Sequence, residues 1–350
     1  MYLFDLGHLP GQQSMLIFHA LARMDVEALV VVSPGMPLVS VGYFQDAQAE
    51  VDLEYCHEAS LPVMRREIGG GATYLDGHQI FYQVILKRDN PRLPGKISEI
   101  YQRFSQPAVE TYGDFGIETH FRPVNDIVTA DGRKIAGEGG ADIGPCMVFV
   151  GGILMDFDYR AMSKVLRVPD EKFRDKVFKS MEENLTTMRR ELGQAPPRYD
   201  VKSILIEKFQ DLLGPLEPAH INREIVKKMG QLERQFTSPE FLYKKTPKVV
   251  QGVKIREGVE LLYGLHKAPG GLIRTVQEVE NEQIQDLGIS GDFTFYPKLE
   301  LGHLEVELKG SARRPKDIRP RIEGFYQRRQ VQSPGVETED LMKALEVFEE

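Results

Sequence analysis

Tryptophan is absent from this 350-residue sequence, and cysteine occurs only twice, at Cys56 and Cys146. The two cysteines lie far apart, so their spacing predicts neither a disulfide framework nor a zinc site. Cys56 falls among apolar residues at helical spacing, which indicates a core position. Cys146 has no base beside it in the sequence, so a buried free thiol is favoured over a nucleophile. Sparse cysteine fits a reducing compartment, and we expect a cytoplasmic protein.

Long apolar runs and an excess of positive charge are also missing. No window approaches the run of about 18 apolar residues that crosses a bilayer. The first residues carry Asp5 and a Pro10-Gly11 pair in place of the basic start and apolar stretch of a signal peptide. A net charge of −8 argues against broad binding to nucleic acid or anionic membranes, which needs clustered Lys and Arg. We expect a monomer that binds neither nucleic acid nor membrane.

The chain does contain enough apolar sequence for more than one hydrophobic core. Hydrophobic residues make up 41% and charged residues 27% of a chain longer than one core usually supports, so we expect two domains. Residues 242–249 (LYKKTPKV) have the composition of a linker. After them the pattern returns from helices to strands with a short helix. We therefore predict domains at 1–245 and 246–350.

Within the first domain the apolar spacing predicts the order of helices and strands. Helices are expected at 12–24, at 46–60, at 98–114 with an interruption at Pro107, and in four stretches between 159 and 235, of which the second runs from 171 to 193. The segments ALVVVS and LVSVGYF lie on either side of a Pro-Gly-Met-Pro turn and are expected to be paired strands. Asp131-Gly132 is a hairpin signal between two further strands.

The segment that runs from Arg65-Arg66 through Gly69-Gly70-Gly71 and Ala72 to Asp76 is the first candidate site. Three consecutive glycines permit positive φ and a close approach of a ligand to backbone N–H groups. The arginines before them supply positive charge and fork-shaped donors. Together these residues predict an anion site, and a plain hairpin connection with solvated arginines is the alternative. The spacing excludes a Walker loop and a dinucleotide fingerprint.

The second candidate site flanks the Asp131-Gly132 turn. A two-residue turn is expected to bring Asn125 and Asp126 back beside the segment from Lys134 to Gly137. This grouping suits adenylation, in which a carboxylate attacks the α-phosphate of ATP and a fixed Lys134 ammonium stabilises the developing charge. Asp126 is a candidate Mg²⁺ ligand or orients the incoming nucleophile. The alternative is a surface hairpin with a solvated lysine.

These two motifs resemble those of the lipoate-protein ligases. The segment from Arg65 to Asp76 is similar to that family's Arg-Arg-x-x-Gly-Gly-Gly-x-x-x-His-Asp motif, and Asn125-Asp126 followed by the segment from Arg133 to Gly137 is similar to its Asn-Asp and Lys-x-Ser-Gly motif. The likeness covers about residues 1–200, and the C-terminal part resembles the family's small accessory domain. Departures from the family's motifs occur at Leu75, Ala136, Glu138 and Gly151.

The resemblance implies an α+β fold of the class II tRNA-synthetase and biotin-ligase kind, with a small α+β C-terminal accessory domain. It implies that Gly69 to Ala72 line a lipoyl tunnel and that Arg66 binds phosphate. It also implies that Lys134 contacts the α-phosphate and the acyl carbonyl, with Asn125 and Asp126 beside it. The implied small molecules are ATP, Mg²⁺, and lipoate or octanoate.

The leading hypothesis is an ATP-dependent lipoate-protein ligase that acts through an acyl-adenylate. Its acceptor would be a 2-oxoacid dehydrogenase E2 domain, a glycine-cleavage H protein or a lipoate-binding protein of a sulfur-oxidation pathway. One alternative is an ATP-independent octanoyltransferase that takes its acyl group from acyl carrier protein through Lys134 or Cys146. Another is a non-catalytic protein that only binds lipoyl domains.

Overall fold

A computed structural model describes residues 1–247 and 258–348 of the chain. The chain divides into two compact units. The first unit comprises Met1–Val41, Val51–Arg66 and Thr73–Phe241, and the second comprises Gly42–Glu50, Glu67–Ala72 and Leu242–Glu350. That these units are the functional domains 1–245 and 246–350 stays a prediction. Residues 248 and 249 of the predicted linker, and the predicted strand before residue 258, lie outside the described residues.

Fifteen strands are described. In chain order they are β1 (Tyr2–Leu9), β2 (Ala28–Pro34), β3 (Leu38–Val41), β4 (Val63–Arg65), β5 (Thr73–Leu75), β6 (Gln79–Lys87), β7 (Thr119–Arg122), β8 (Asp126–Thr129), β9 (Lys134–Gly137), β10 (Gly139–Ile143), β11 (Cys146–Leu154), β12 (Glu217–Pro218), β13 (Val259–Ala268), β14 (Gly271–Glu280) and β15 (Gln283–Gly291).

Thirteen helices are described. In chain order they are α1 (Gly11–Arg23), α2 (Ala47–Glu50), α3 (Leu53–Glu58), α4 (Ile97–Asp114), α5 (Tyr159–Val165), α6 (Glu171–Asn184), α7 (Met188–Leu192), α8 (Arg198–Leu213), α9 (Arg223–Phe236), α10 (Pro239–Leu242), α11 (Glu300–Leu308), α12 (Pro315–Arg329) and α13 (Thr338–Ala344). Within the described residues no helix is long and apolar enough to cross a bilayer.

A six-stranded sheet is the framework of the first unit. Its strand order is β10-β11-β6-β2-β1-β12, with β1 parallel to both of its neighbours and the other pairs antiparallel. Every residue of β2 is buried, as expected for a central strand that packs on both faces. Helix α1 lies near the predicted range and buries ten of its residues. The sheet and α1 therefore supply much of the core that supports the candidate site.

Two smaller sheets of the first unit carry the segments that the sequence analysis singled out. One has the order β4-β3-β5 and the other β7-β8-β9. The predicted pairing of ALVVVS with LVSVGYF is wrong, because β2 pairs with β1 and β6 whereas β3 pairs with β4 and β5. The turn between β2 and β3 passes the chain from one sheet to another, which local turn signals do not reveal.

Three predicted helices differ from the observed ones. Helix α4 runs without a break through Pro107, whose ring lies on the buried face of the helix. Burial of that face outweighs the cost of about 3 kcal/mol that an interior proline brings. The predicted helix at 171–193 is two helices, α6 and α7, because residues 185–187 leave helical geometry and Thr187 caps α7 through its side chain. Likewise, the predicted helix at 46–60 is the pair α2 and α3.

The hairpin of β8 and β9 forms as predicted, but its turn is longer by one residue. Thr129 N donates to Arg133 O at 2.9 Å and Gly132 N donates to Thr129 O at 2.9 Å, so Ala130, Asp131 and Gly132 form the loop. Gly132 has φ +85°, the left-handed conformation that such a three-residue turn requires. The register pairs Asp126 with Gly137, as the candidate site needs.

The second unit is a three-stranded antiparallel sheet, β13-β14-β15, packed against α11 and α13, with α12 on α11 and α13. Buried and half-buried residues alternate along β14, as expected for a strand with one face in a core. The structure shows α12 in the Arg- and Pro-rich stretch after Ser311, for which the sequence analysis had predicted no element.

One close approach in the six-stranded sheet provides a test of the packing. Gly151 of β11 is the direct cross-strand partner of Tyr82 of β6, and a Cβ at Gly151 would overlap the Tyr82 Cζ and Oη atoms. We predict that Gly151→Ala lowers the free energy of unfolding by about 1–3 kcal/mol, the usual cost of overpacking a core. Denaturant unfolding measures this change.

The matched control is Gly230→Ala on α9, where a Cβ would meet no atom within 4 Å. Alanine in a helix interior is more stable than glycine by up to about 1 kcal/mol, so this variant should be neutral or more stable. Equal unfolding free energies for the Gly151 variant and the wild type would show that Tyr82 does not occupy the space over Gly151.

Candidate functional site

An ion pair at the open end of the β8–β9 hairpin is the centre of the second candidate site. Lys134 Nζ lies 2.6 Å from Asp126 Oδ1, and Arg122 lies 2.9 Å from Asp126 Oδ2. The Lys134 side chain is folded over Gly137, because a Cβ at Gly137 would lie 2.8 Å from Lys134 Nζ. The side chain of Lys134 is 37% exposed. Lys134 is thus a positioned side chain that is partly accessible from solvent.

Hydrogen bonds close the base of the hairpin. Glu138 N donates to Asn125 O at 2.9 Å, and Asn125 Nδ2 donates to Glu138 O at 2.8 Å. The chain between α6 and α7 supports the other side, since Thr186 N donates to Lys134 O at 2.8 Å. Asn125, Asp126, Lys134 and Gly137 are therefore brought together as the sequence analysis predicted.

The arrangement around Asp126 does not fit a metal held by the protein. Both carboxylate oxygens of Asp126 already lie against a cation, and the described residues contain no group of three His, Cys, Asp or Glu side chains that could hold a metal ion. Asp126 acts here as the ion-pair partner that fixes Lys134.

Arg65 is the last residue of β4 and Arg66 follows it, and both are buried. Arg65 Nε donates to Phe241 O at 2.8 Å, and Arg66 Nη1 donates to Ser40 O at 2.9 Å. Burial, followed by the charge of Arg65, lowers the pKa of Arg66 to about 10, so Arg66 still carries its charge at neutral pH. A buried guanidinium that remains charged suits an anion ligand, and the predicted phosphate contact stays a prediction.

The glycine run belongs to the second unit, in which it packs against the loop after β15. Gly70 has φ +85° and its N–H donates to Phe293 O at 3.3 Å. A Cβ at Gly69 would lie 2.7 Å from the same carbonyl oxygen. The close approach that glycine permits is therefore made to the protein's own backbone. The predicted role of Gly69 to Ala72 in ligand binding stays a prediction.

Asp76 follows β5 in the first unit and organises its own turn. Its carboxylate accepts a hydrogen bond from His78 N at 2.9 Å, and the residue is 5% exposed. Burial raises the pKa of this carboxyl. Leu75, beside it, is also buried, so the family departure at this position places an apolar side chain in the interior. The structure thus gives Asp76 a local role, and its predicted part in substrate binding stays a prediction.

Several residues beside the candidate site were not found from the sequence. Arg122 precedes the hairpin and pairs with Asp126, and the carboxyl of Glu138 accepts a hydrogen bond from Tyr82 Oη at 2.6 Å. Ser105 of α4 contacts the other oxygen of the same carboxyl. In the sequence, Glu138 and Gly151 are visible only as departures from the family's motifs, and no local pattern connects them with Tyr82 or Ser105.

Comparison with known proteins shows to which family the chain belongs. The model of the lipoyl protein ligase A/B catalytic domain matches residues 14–210, more than half of the chain. The chain belongs to this family. The resemblance seen in the sequence motifs is confirmed at this level, and the protein is an enzyme of the lipoate ligase and octanoyltransferase family.

Curated relatives come from both branches of the family. The lipoate-protein ligase of Streptococcus pyogenes is 29% identical over 297 residues, which are 81% of this chain and 79% of that protein. Octanoyltransferase LipM of Kyrpidia tusciae is 29% identical over 231 residues, which are 60% of this chain and 84% of that protein. Sequence identity alone does not separate the two branches.

Solved structures agree with the predicted α+β fold class, which is confirmed. A bipartite lipoate protein ligase from Thermoplasma acidophilum, studied with its E2 lipoyl domain, is 26% identical with a TM-score of 0.62, over 71% of this chain and 98% of that chain. LipL1 of P. falciparum, in complex with lipoate, is 16% identical with a TM-score of 0.68, over 97% of this chain and 98% of that chain. The second likeness concerns the fold alone.

The two cysteines provide a chemical test of the site. Cys56 and Cys146 are both buried, and burial raises the pKa of each thiol to about 11. A neutral buried thiol is a poor nucleophile, because the thiolate is the reactive form. We predict that iodoacetamide at about pH 8 leaves both thiols of the folded protein unmodified, whereas the unfolded protein takes up two labels. Intact-protein mass spectrometry counts the labels, and rapid labelling of Cys146 in the folded protein would contradict the prediction.

Proposed function

We propose that this enzyme is an ATP-dependent lipoate-protein ligase, which activates lipoate or octanoate as an acyl-adenylate and transfers the acyl group to a lysine of an acceptor protein. The observation that carries the proposal is Lys134, whose ammonium lies 2.6 Å from Asp126 and whose side chain is 37% exposed, within the family's catalytic region. A fixed cation at a site of developing negative charge lowers the energy of the transition state.

The proposed reaction has two steps. In the first, a carboxylate oxygen of the acid forms a bond to the α-phosphorus of ATP while the bond to the β-phosphate breaks, and pyrophosphate leaves. In the second, the neutral amine of the acceptor lysine attacks the acyl carbon, AMP leaves, and the amine loses its proton. Lys134 stabilises the charge on the α-phosphate oxygens in the first step, and Asp126 holds Lys134 in place.

The state of the thiols supports the ligase over a thiol-dependent transferase. The sequence has only two cysteines, and both are buried with raised pKa. An acyl-enzyme formed on Cys146 would need a thiolate that can reach the acyl donor. With Cys146 in a strand of the core, acyl transfer through an adenylate is the better-supported route.

The extent of the alignments also supports the ligase. The alignment with the S. pyogenes ligase covers 81% of this chain, which requires that it include residues after Phe241. The alignment with LipM covers 60%, which the residues before Phe241 can supply alone. Because the second unit has a counterpart in a ligase, we propose that it serves the activation step.

The test of the proposed site is Lys134→Ala. Removal of a cation that stabilises transition-state charge is expected to lower the rate of lipoate-dependent pyrophosphate release by about 10²–10³-fold. The KM for ATP is expected to change far less, since the interaction strengthens mainly in the transition state. Steady-state pyrophosphate release with purified protein, ATP and lipoate measures both quantities.

The control is Lys208→Ala on α8, which removes a lysine paired with Asp114 on another surface of the first unit. This variant should keep wild-type activity, since a surface ion pair contributes little. Pyrophosphate release from the Lys134 variant at the wild-type rate would refute the role of Lys134.

The octanoyltransferase is the second candidate, because LipM of K. tusciae is as similar to this chain as the ligase is. ATP separates the two functions. We expect that mass spectrometry detects a lipoyl or octanoyl group on an E2 lipoyl domain, an H protein or a lipoate-binding protein only when ATP and the free acid are present. Acyl transfer from octanoyl-acyl carrier protein without ATP would favour the transferase.

A further inference from the structure

Glu138 is a buried acid that the proposed reaction does not use. It is the single residue between β9 and β10 and is 5% exposed. Tyr82 Oη donates to its Oε1 at 2.6 Å, and the Ser105 hydroxyl contacts its Oε2. Tyr82 and Ser105 are themselves fully buried. A carboxyl group in such surroundings is costly unless each of its oxygens has a partner.

The hydrogen-bond pattern around Ser105 indicates a protonated carboxyl. Ser105 Oγ lies 2.6 Å from the Tyr101 carbonyl oxygen and also contacts Glu138 Oε2. A hydroxyl has one hydrogen, and a carbonyl oxygen can only accept. When Ser105 donates to Tyr101, the contact with Glu138 becomes a hydrogen bond only if the carboxyl carries the proton and donates to Ser105.

Gly151 makes this arrangement possible. Tyr82 of β6 and Gly151 of β11 are cross-strand partners, and the Tyr82 ring occupies the space of the missing Gly151 side chain. Strand β11 lies between β6 and β10 in the sheet. The phenol therefore crosses β11 above Gly151 and reaches Glu138 at the start of β10. Two departures from the family motif, Glu138 and Gly151, belong to one cluster.

The backbone of Glu138 connects this cluster to Lys134. Glu138 exchanges two hydrogen bonds with Asn125, and the next residue, Asp126, holds the Lys134 ammonium at 2.6 Å. A hydrogen bond from α4 also holds β9, because Tyr112 Oη donates to Ile135 O at 3.1 Å. The side chain of Glu138 thus fixes the end of the hairpin that carries the reactive lysine.

We propose that Glu138, as a neutral carboxylic acid between Tyr82 and Ser105, is a positioning residue that holds the Lys134 hairpin (residues 125–138) against the six-stranded sheet. The catalytic consequence rests on the proposed function of Lys134. Glu138 touches no reacting atom; it acts through Asn125 and Asp126, which set where the ammonium lies.

The charges around Glu138 agree with a neutral form. Burial raises its pKa to about 8. The contacts with Ser105 and Tyr82 oppose the rise, Asp126 of β8 adds to it, and Lys134 of β9 lowers the pKa. Tyr82 of β6 and Tyr112 of α4 are the other titratable groups in the cluster, and burial raises the pKa of both. Above about pH 8 the cluster would therefore hold an ionised, buried carboxylate.

The sign of the pH effect follows from this raised pKa. Between about 4.5 and 8 the folded protein keeps the Glu138 proton that the unfolded chain releases, so the free energy of unfolding falls as pH rises through this range. The stability that the proton provides is fully present below the unfolded value and is lost as pH passes the folded pKa. Glu138→Gln keeps a neutral side chain of the same shape, so it should lose this dependence.

The experiment compares hydrogen exchange of peptides covering residues 125–138 in the wild type and three variants, without substrates. In Glu138→Gln the exchange should stay within about twofold of the wild type, and in Glu138→Ala it should be at least about tenfold faster, because the hairpin loses its tie to the sheet. Glu110→Ala on the exposed face of α4 is the matched control and should leave the hairpin unchanged. Protection of the hairpin in Glu138→Ala equal to that in the wild type would overturn the proposal.

Tyr82→Phe keeps the test usable if Glu138→Ala does not fold. It retains the ring over Gly151 and removes only the hydroxyl that reaches Glu138, so the hairpin should exchange faster while the sheet amides stay protected. The exposed Tyr199→Phe is its control. Equal hairpin protection in Tyr82→Phe and in the wild type would also count against the proposal.

Measurements of enzyme activity then test the role of Glu138 separately from the proposed function of the enzyme. With adenylation confirmed through Lys134→Ala, a Glu138 variant that loosens the hairpin should lower kcat at least about tenfold, with KM values within about threefold, and Glu138→Gln should restore kcat. In the wild type kcat should fall above about pH 8, and in Glu138→Gln this fall should be absent. If Lys134→Ala retains activity, the proposed function fails, and the exchange data alone decide whether Glu138 holds the hairpin.

Discussion

The candidate site depends on the two hydrogen bonds that Asn125 and Glu138 exchange at the base of the β8–β9 hairpin. A hairpin projecting from a sheet has freedom to move unless its base is fixed. Here the base is fixed at a residue whose side chain is buried among Tyr82 and Ser105, so the core of the first unit sets the position of the hairpin. Asp126 directly follows Asn125, and Lys134 is held by its ion pair with Asp126, so both side chains depend on the position of this base.

The ion pair of Lys134 with Asp126 cannot be what orders this region. Lys134 is 37% exposed and Asp126 is 21% exposed, and ion pairs near the surface contribute only about 0–1 kcal/mol. Buried hydrogen bonds act in a medium of low dielectric, and a buried polar group that loses its partner costs about 1–3 kcal/mol. The buried hydrogen bonds beneath the hairpin therefore stabilise this region, whereas the charged group needed for the reaction lies on the solvent-accessible side of the hairpin. This separation allows Lys134 to respond to a substrate without weakening the fold.

The sequence predicted those features that local patterns determine. Helix α1 and the Asp131-Gly132 turn follow from apolar spacing and turn chemistry, and the turn was enough to place Asp126 beside Lys134. Non-local relations were missed. Nothing local shows that β2 and β3 lie in different sheets, that the glycine run packs on Phe293, or that Tyr82 reaches Glu138 across a strand. Such contacts depend on which strands become neighbours, and turn or periodicity signals do not encode that choice.

The departures at Gly151 and Glu138 are best understood as consequences of one side chain. Any other residue at position 151 would need a Cβ where the Tyr82 ring now lies. With Tyr82 in this place, only glycine avoids the overlap, and the phenol hydroxyl, once buried, requires an acceptor. Glu138 provides that acceptor, but a carboxylate in the core would be costly, which is why the neutral acid with Ser105 as its second partner is the stable form. Each departure alone would leave a clash or an unpaired polar group, and the three residues together leave neither.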